Sequence, residues 1–293
     1  MKTNEIHIRD PFILLDDDKY YLYGSRGPEC WGKCTGLDVY VSEDLDNCSD
    51  AAEVFTKPED FWSDTNFWAP EVHKYNGNYY MLVSLVSDTR SRGTQILKSD
   101  SPLGPFLPHS DGPVTPDGWS CLDGTLYVEN DKPYIIFCHE WTQVGDGEMC
   151  ALELTDDLKA PVGEPILLFT ASQASGAAAY TASEPAWARG MTGYITDGPF
   201  MYKTKEGRLL MIWSSFSAEG YCEIVSYVKD NALLGEWVHD ERLLFEKDGG
   251  HGMLFRDKDE NLKFVCHQPN NTPDERPVFW DIKEENGTLY IKK

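Results

Sequence analysis

Short apolar stretches separated by polar turns run along the whole chain. Most are about four to eight residues long, rich in Tyr, Phe, Val and Ile, and bounded by Gly, Asn or Asp. Such stretches are typical of β-strands, because an amphipathic helix needs a longer run with apolar residues every three or four positions. Asn76-Gly77 and Glu206-Gly207 separate paired stretches, as expected for β-hairpins. The pattern predicts an all-β protein.

One phrase recurs five times along the chain. It consists of a small or charged residue, Pro or Gly, a short apolar strand, a polar turn and a second apolar strand. The copies start 54 to 74 residues apart, at Asp10, Ala69, Asp123, Asp197 and His251. Further strand candidates follow each hairpin, so every unit has room for about four strands. A repeat of this length predicts a five-bladed β-propeller, which we expect to form one catalytic domain over residues 1–293.

Composition narrows the classes of partner. The formal net charge of −23 argues against nucleic acids and anionic membranes, and no apolar run approaches the about 20 residues of a membrane span. The chain opens without an apolar leader, so we expect a cytoplasmic protein, or a periplasmic or secreted one if a signal was removed. Most of the eight cysteines are expected to be reduced core residues, with a Cys30–Cys34 link possible. We expect a monomer or a weak oligomer.

The first position of the repeated phrase carries the candidate chemistry. In a propeller the innermost strands line a central channel, so Asp10, Asp123 and Asp197 should open three blades at equivalent positions, with His251 in a fourth. Like charges held together separate their pKa values, leaving one carboxyl protonated and another ionised. Such an acid and base suit the hydrolysis of a glycosidic bond. The alternatives are ordinary turn chemistry for each aspartate and a packed or capping role for the histidine.

These residues also carry a resemblance to a known family. The chain resembles glycoside hydrolase family 43, five-bladed propeller enzymes that act on arabinose- and xylose-containing polysaccharides. The matching segments span nearly the whole chain in the family's order: Arg9-Asp10-Pro11-Phe12, Trp68-Ala69-Pro70-Glu71-Val72, Leu122-Asp123-Gly124, Thr196-Asp197-Gly198-Pro199-Phe200, Gly249-Gly250-His251-Gly252 and Glu275-Arg276-Pro277.

The resemblance implies an inverting mechanism with three acidic roles. Asp10 matches the general base, and Asp123 matches the residue that tunes and orients the acid. Asp197 stands where the family usually has glutamate in a Glu-Gly-Pro motif, which implies that it is the general acid. Glu184, in the long third interval between repeats, is the competing acid. Asp197 is preferred because it keeps the register of the repeat.

The remaining site residues also follow from the resemblance. His251 matches a channel histidine that in many members helps to hold calcium through water, so one structural calcium ion is plausible, with no organic cofactor. Arg276 matches an arginine near the sugar hydroxyls, although a surface ion pair is the alternative. Trp68 and Trp141 lie near the motifs and are candidates for stacking on sugar, and Glu71, which belongs to a matching segment, is a further candidate for binding substrate.

The resulting hypothesis is a glycosidase that cleaves arabinofuranosyl or xylosyl linkages with inversion. A non-catalytic carbohydrate-binding propeller would share the fold and the aromatic pocket but needs no acid–base pair. A β-fructosidase-like propeller is a second alternative, whose nucleophile would lie in an Asn-Asp-Pro-type motif near the N-terminus. The chain has Arg9-Asp10-Pro11 there, which disfavours it.

Overall fold

The computed structural model describes residues 1–183 and 186–292, and within these ranges the strands form five four-stranded antiparallel sheets and one two-stranded sheet. The five large sheets are the blades of a β-propeller, as the repeats predicted. Each blade uses four strands in chain order, because every strand is joined to the next by a turn or short loop.

The blades follow the chain without exchanging strands. Blade one contains β1 (Ile8–Asp16), β2 (Lys19–Arg26), β3 (Gly36–Ser42) and β4 (Ala52–Thr56). Blade two contains β5 (Thr65–Tyr75), β6 (Asn78–Ser87), β7 (Arg90–Ser99) and β8 (Leu107–Pro113). Blade three contains β9 (Cys121–Glu129), β10 (Lys132–His139), β11 (Glu148–Leu154) and β12 (Pro161–Thr170).

The long third interval supplies the two-stranded sheet, β13 (Tyr180–Thr181) and β14 (Thr192–Gly193). Blade four contains β15 (Asp197–Lys203), β16 (Leu209–Ser217), β17 (Gly220–Val228) and β18 (Trp237–His239). Blade five contains β19 (Gly250–Arg256), β20 (Leu262–Gln268), β21 (Arg276–Glu285) and β22 (Thr288–Ile291). The helices of the described chain are short: α1 (Trp141–Val144) and 3₁₀ turns at Thr3–Glu5, Pro28–Trp31 and Ala171–Gln173.

The core lies between neighbouring blades. Tyr, Phe, Leu, Ile and Val side chains from adjacent sheets form the main apolar clusters, and Trp213 is among the largest side chains that are fully buried. Phe12 of the first blade packs against Phe200 of the fourth, and Met253 of the fifth joins the same cluster. The ring therefore closes by packing of the last blade on the first, with β21 and β22 as its late strands.

A β-bulge interrupts the innermost strand of every blade at the repeated phrase. In blade one, Arg9 pairs with Ser25 and Phe12 with Tyr23, so Asp10 and the following proline oppose a single residue. The first bulged residue has a positive φ in each blade: Asp10 (53°), Ala69 (48°), Asp123 (55°), Gly198 (49°) and His251 (50°). A bulge turns neighbouring side chains of one strand toward the same region.

This register corrects one expectation about the acids. Asp10 and Asp123 are equivalent, but the bulged residue of blade four is Gly198, so Asp197 stands one position earlier than predicted. Asp197 is equivalent instead to Arg9 and Trp68, each the last paired residue before its bulge. Glycine suits the bulged position here, since a Cβ would lie 2.7 Å from the imidazole of His251.

Candidate active site

A narrow pocket opens where the innermost strands of the blades meet. It is lined by residues from all five blades: Arg9, Asp10, Trp31, Trp68, Leu122, Asp123, Asp197, Tyr221 and His251. The three predicted acids, the predicted histidine and Trp68 therefore come together. Both the bulged residue and the residue before it line the pocket in blades one (Arg9, Asp10) and three (Leu122, Asp123), whereas the other three blades contribute one of the two positions.

Asp10 is held as an ion in a buried, positively charged setting. Its Oδ2 accepts a hydrogen bond from the Ser25 hydroxyl at 2.6 Å, and its Oδ1 lies 3.2 Å from Nδ1 of His251. Burial opposes the negative charge, but the charges of His251 and Arg9 outweigh that effect and lower the pKa of the Asp10 carboxyl. Asp10 can thus accept a proton.

Asp123 and Asp197 differ from Asp10, because the pKa of each is raised. Burial raises the pKa of Asp123 to about 6, although His251 and a hydrogen bond from the Gly198 amide at 3.0 Å favour its ionised form. Asp197 is partly exposed to the pocket, yet exclusion of solvent and the nearby Asp123 carboxylate raise its pKa to about 7. Burial thus favours the protonated form of both carboxyls, and Asp197 is the more exposed of the two to the pocket.

His251 and Tyr221 connect these carboxyls. The Nδ1 of His251 lies 3.7 Å from Oδ2 of Asp123 as well as 3.2 Å from Asp10. Burial disfavours its charge, but the surrounding carboxylates raise the pKa of His251 to about 9. The Tyr221 hydroxyl donates to Oδ2 of Asp197 at 3.0 Å, and the Tyr221 ring stacks on the buried His267.

Four residues of the pocket lining were missed by sequence reasoning: Arg9, Trp31, Leu122 and Tyr221. Arg9 stands beside the predicted base and forms an ion pair with Glu275 at 2.6 Å. Trp31 packs edge to face on Trp68, with ring centroids 5.1 Å apart. Arg9 lay within a matching segment and could have been found there; Trp31 and Tyr221 lie outside the repeated phrase, which gave no signal for them.

Three predicted sugar contacts lie outside this pocket. The Glu71 side chain is buried in a contact with His73 at 2.8 Å, and Trp141 is only 9% exposed among apolar residues beside the two-stranded sheet. Arg276 contacts His7 and the carbonyl oxygens of Pro273 and Glu275. None of the three lines this pocket, and their roles in sugar binding stay predictions. Glu184, the alternative acid, lies outside the described residues.

A larger groove of about 560 Å³ adjoins the pocket. The two are connected through Arg92, which lines the groove and stacks on the Trp68 ring with its Cζ 3.5 Å from the centroid. Arg90, Asp88 and Glu140 give the groove charges of both signs, and Trp187 adds an indole that is 58% exposed. This volume lies within the range of small-molecule sites.

The pocket offers little for direct metal coordination. Among residues 1–183 and 186–292, no group of three or more His, Cys, Asp or Glu side chains is arranged to hold an ion. The Nδ1 atom of His251 is engaged by two carboxylates. Calcium prefers six to eight oxygen ligands, so the residues do not fit a calcium site made by side chains alone.

Two further expectations concern cysteines and membranes. All eight cysteines are free and buried, including Cys30 and Cys34, so the possible link between those two is not formed. No helix within the described part of the chain has the length and apolar character needed to span a bilayer.

Comparison with known proteins identifies relatives of this arrangement. The family model described as "Glycosyl hydrolases family 43" matches residues 4–283. The solved structure of an endo-arabinase from Bacteroides thetaiotaomicron VPI-5482 is 38% identical, with a TM-score of 0.90 and 98% of each chain covered.

Two curated relatives match over shorter segments. The extracellular endo-alpha-(1->5)-L-arabinanase 1 of Bacillus subtilis is 25% identical, over 48% of this chain and 46% of its own. The probable arabinan endo-1,5-alpha-L-arabinosidase C of Aspergillus clavatus is 27% identical, over 50% of this chain and 44% of its own. The matches thus span less than half the length of these curated relatives.

Proposed function

The chain belongs to the glycosyl hydrolases family 43, and we propose that it hydrolyses glycosidic bonds in arabinose-containing polysaccharides or oligosaccharides by inversion. The observation that carries this proposal is one pocket lined by two carboxyls in different surroundings: Asp10, 3.2 Å from the imidazole of His251, and Asp197, which accepts from the Tyr221 hydroxyl. The first setting lowers the pKa of Asp10, and burial raises that of Asp197. A glycosidase needs such a base and acid at the same time.

The proposed reaction is a single displacement. Asp10 accepts a proton from a water molecule as that water attacks the anomeric carbon. Asp197 donates its proton to the glycosidic oxygen as the bond between that oxygen and the anomeric carbon breaks. Asp123 raises the pKa of Asp197 by its charge and, through the Gly198 amide, is tied to the residue that follows the acid. Attack opposite the leaving group inverts the anomeric configuration.

Arabinan is the substrate that we favour over xylan. The similar proteins named above are described as acting on arabinan or as an endo-arabinase. The adjoining groove, with the Arg92–Trp68 stack at its junction, supports binding of several sugar units, because aromatic faces and guanidinium groups suit neutral sugars. Xylosyl linkages are the second substrate class.

A structural calcium ion stays a proposal of lower rank. It would require water molecules to complete its coordination, since the described side chains do not supply a set of ligands. Metal analysis of the purified protein, with melting temperature measured before and after chelation, tests it. Absence of calcium from an active preparation would remove it from the proposal.

The decisive experiment is an assay of sugar release. We expect activity on linear α-1,5-arabinan, weaker or no activity on xylan, and an initial product of inverted configuration by ¹H NMR. Asp10→Asn should reduce kcat by at least about 10³-fold, whereas the matched control Asp131→Asn, in an exposed turn, should leave it unchanged. Sugar binding without hydrolysis by the unaltered protein would support the non-catalytic alternative and overturn the proposal.

A further inference from the structure

A ring of hydrogen bonds connects the bulges of successive blades. In four of the five junctions between blades in the described chain, the amide N–H of the bulged residue donates to a side chain on the second strand of the preceding blade. The four bonds run from Ala69 to the Ser25 hydroxyl (2.8 Å), from Asp123 to the Ser84 hydroxyl (2.7 Å), from His251 to the Ser214 hydroxyl (2.6 Å) and from Asp10 to Nδ1 of His267 (3.2 Å).

The four acceptors occupy one equivalent position. Each lies on the second strand of its blade, paired with the residue immediately before the bulge, and each is completely buried. The equivalent residue of blade three is Cys138, which pairs with Leu122 and is also completely buried. Cys138 is therefore the exception in a ring of hydroxyl and imidazole acceptors.

At the junction between blades three and four, the amide of the bulged residue binds a different acceptor. A thiol is a weak acceptor, and the Gly198 amide donates instead to Oδ2 of Asp123 at 3.0 Å. Cys138 is close enough to both Asp123 and Asp197 for their charges to raise the pKa of its thiol, after the larger effect of burial.

Blade one illustrates what a serine does at this position. The Ser25 hydroxyl donates to Oδ2 of Asp10 and accepts from the Ala69 amide, so it stands between the carboxylate and the next blade. Blade three has no serine at this position, and the Asp123 carboxylate accepts a hydrogen bond directly from the Gly198 amide of the next blade.

We propose that Cys138 is a positioning residue, which acts by leaving the Gly198 amide free to bind the Asp123 carboxylate directly. The inference rests on the proposed function, in which Asp197 is the acid and Asp123 tunes it. The hydrogen bond between the Gly198 amide and Asp123 holds the Asp123 carboxylate next to the residue that follows Asp197. A hydroxyl at position 138 would take the amide and separate the carboxylate from it. Asp123 would then lie farther from Asp197, and its charge would raise the pKa of Asp197 less.

Two variants separate this role from core packing. Cys138→Ser introduces the competing hydroxyl, and Cys138→Ala removes the thiol without adding an acceptor. Both alter a buried side chain in the apolar core between blades three and four, so both should lower the melting temperature. Only Cys138→Ser should lower kcat on arabinan, by about tenfold with KM unchanged, because a hydrogen bond to a charged group is lost and only partly replaced.

Crystal structures of both variants provide a readout that is independent of activity. In Cys138→Ser we expect the Gly198 amide to donate to the new hydroxyl, and in Cys138→Ala to Asp123 as before. Persistence of the Gly198–Asp123 bond in Cys138→Ser, or equal losses of kcat in the two variants, would overturn the inference. If the unaltered protein cleaves no arabinose- or xylose-containing substrate, the proposed function fails, whereas the crystallographic result still decides the hydrogen-bonding claim.

Discussion

Replacing Tyr221 by Phe tests whether Asp197 is the acid that limits activity at high pH. The tyrosine hydroxyl donates to Oδ2 of Asp197 at 3.0 Å, and its ring stacks on His267 at 5.7 Å. Phenylalanine keeps the stack and removes the donor. Because the hydroxyl favours the ionised form of Asp197, its loss should raise the pKa of that carboxyl further.

The size of the shift follows from the strength of the lost bond. A hydrogen bond to a charged group contributes about 1.5–3 kcal/mol, and one pKa unit corresponds to about 1.4 kcal/mol. Complete loss would therefore raise the pKa by about 1–2 units. The hydroxyl can also bind the protonated carboxyl, and water can replace it, so we expect about one unit from the starting value of about 7.

The assay is the pH dependence of kcat/KM on a soluble arabino-oligosaccharide. An acid must be protonated to act, so activity falls as pH rises through its pKa, and this basic limb should move upward in Tyr221→Phe. Tyr134→Phe, whose hydroxyl lies 3.4 Å from Glu153 outside the pocket, is the matched control and should leave the limb in place. If kcat/KM of Tyr221→Phe falls at the same pH as in the unaltered protein, or at a lower pH, the assignment of Asp197 as the titrating acid is refuted.

Two further substitutions test the acid and the core. Asp197→Asn should lower kcat on arabinan by about 10²–10⁴-fold, but much less on an aryl arabinoside whose leaving group needs no protonation; equal losses on both substrates would contradict the acid role. Trp213→Ala should lower the free energy of unfolding by about 3–5 kcal/mol in urea titrations, because it empties a fully buried site. Trp187→Ala, at an exposed site, should change it by less than about 0.5 kcal/mol, and similar effects of the two would contradict the packing described here.

The blade architecture was predictable because it depends on repetition. Each repeat contains a hairpin whose turn and apolar strands are visible in the sequence. A strand that is uncertain in one copy is supported by the equivalent strands of the other four. The closing strands were also visible, since Val278–Asp281 and Thr288–Ile291 lie within β21 and β22. The family resemblance, which rests largely on the same segments, indicated the same fold.

The register of the fourth bulge was not predictable in the same way. Asp10-Pro11, Asp123-Gly124 and Asp197-Gly198-Pro199 all read as an aspartate followed by a turn residue. Which residue takes the positive φ depends on how each strand pairs with its partner, and pairing is a tertiary property. Gly198 takes that position in blade four because the ring of His251 leaves no room for a side chain there.

The pocket depends on residues that the repeats do not mark. Tyr221 comes from the third strand of blade four and Trp31 from the connection between β2 and β3, so their approach to Asp197 and Trp68 needs the folded chain. The position of Arg276 has a similar cause: its neighbour Glu275 pairs with Arg9, while Arg276 contacts His7 and does not line the pocket. Glu275 lies just before β21, which begins at Arg276, and a motif alone does not say which of two neighbouring side chains faces the interior.

The one-residue offset of Asp197 gives the pocket its chemical asymmetry. Asp10, Asp123 and His251 are bulged residues, and their mutual ion pairs form one charged group in which the imidazolium opposes two carboxylates. Asp197 belongs to the preceding position and contacts a neutral hydroxyl instead. The charge of His251 opposes the raised pKa of both Asp123 and Asp197, but the imidazole makes its close contacts with Asp10 and Asp123. At Asp197, burial and the charge of Asp123 outweigh that effect and raise the pKa to about 7, so the carboxyl retains its proton near neutral pH.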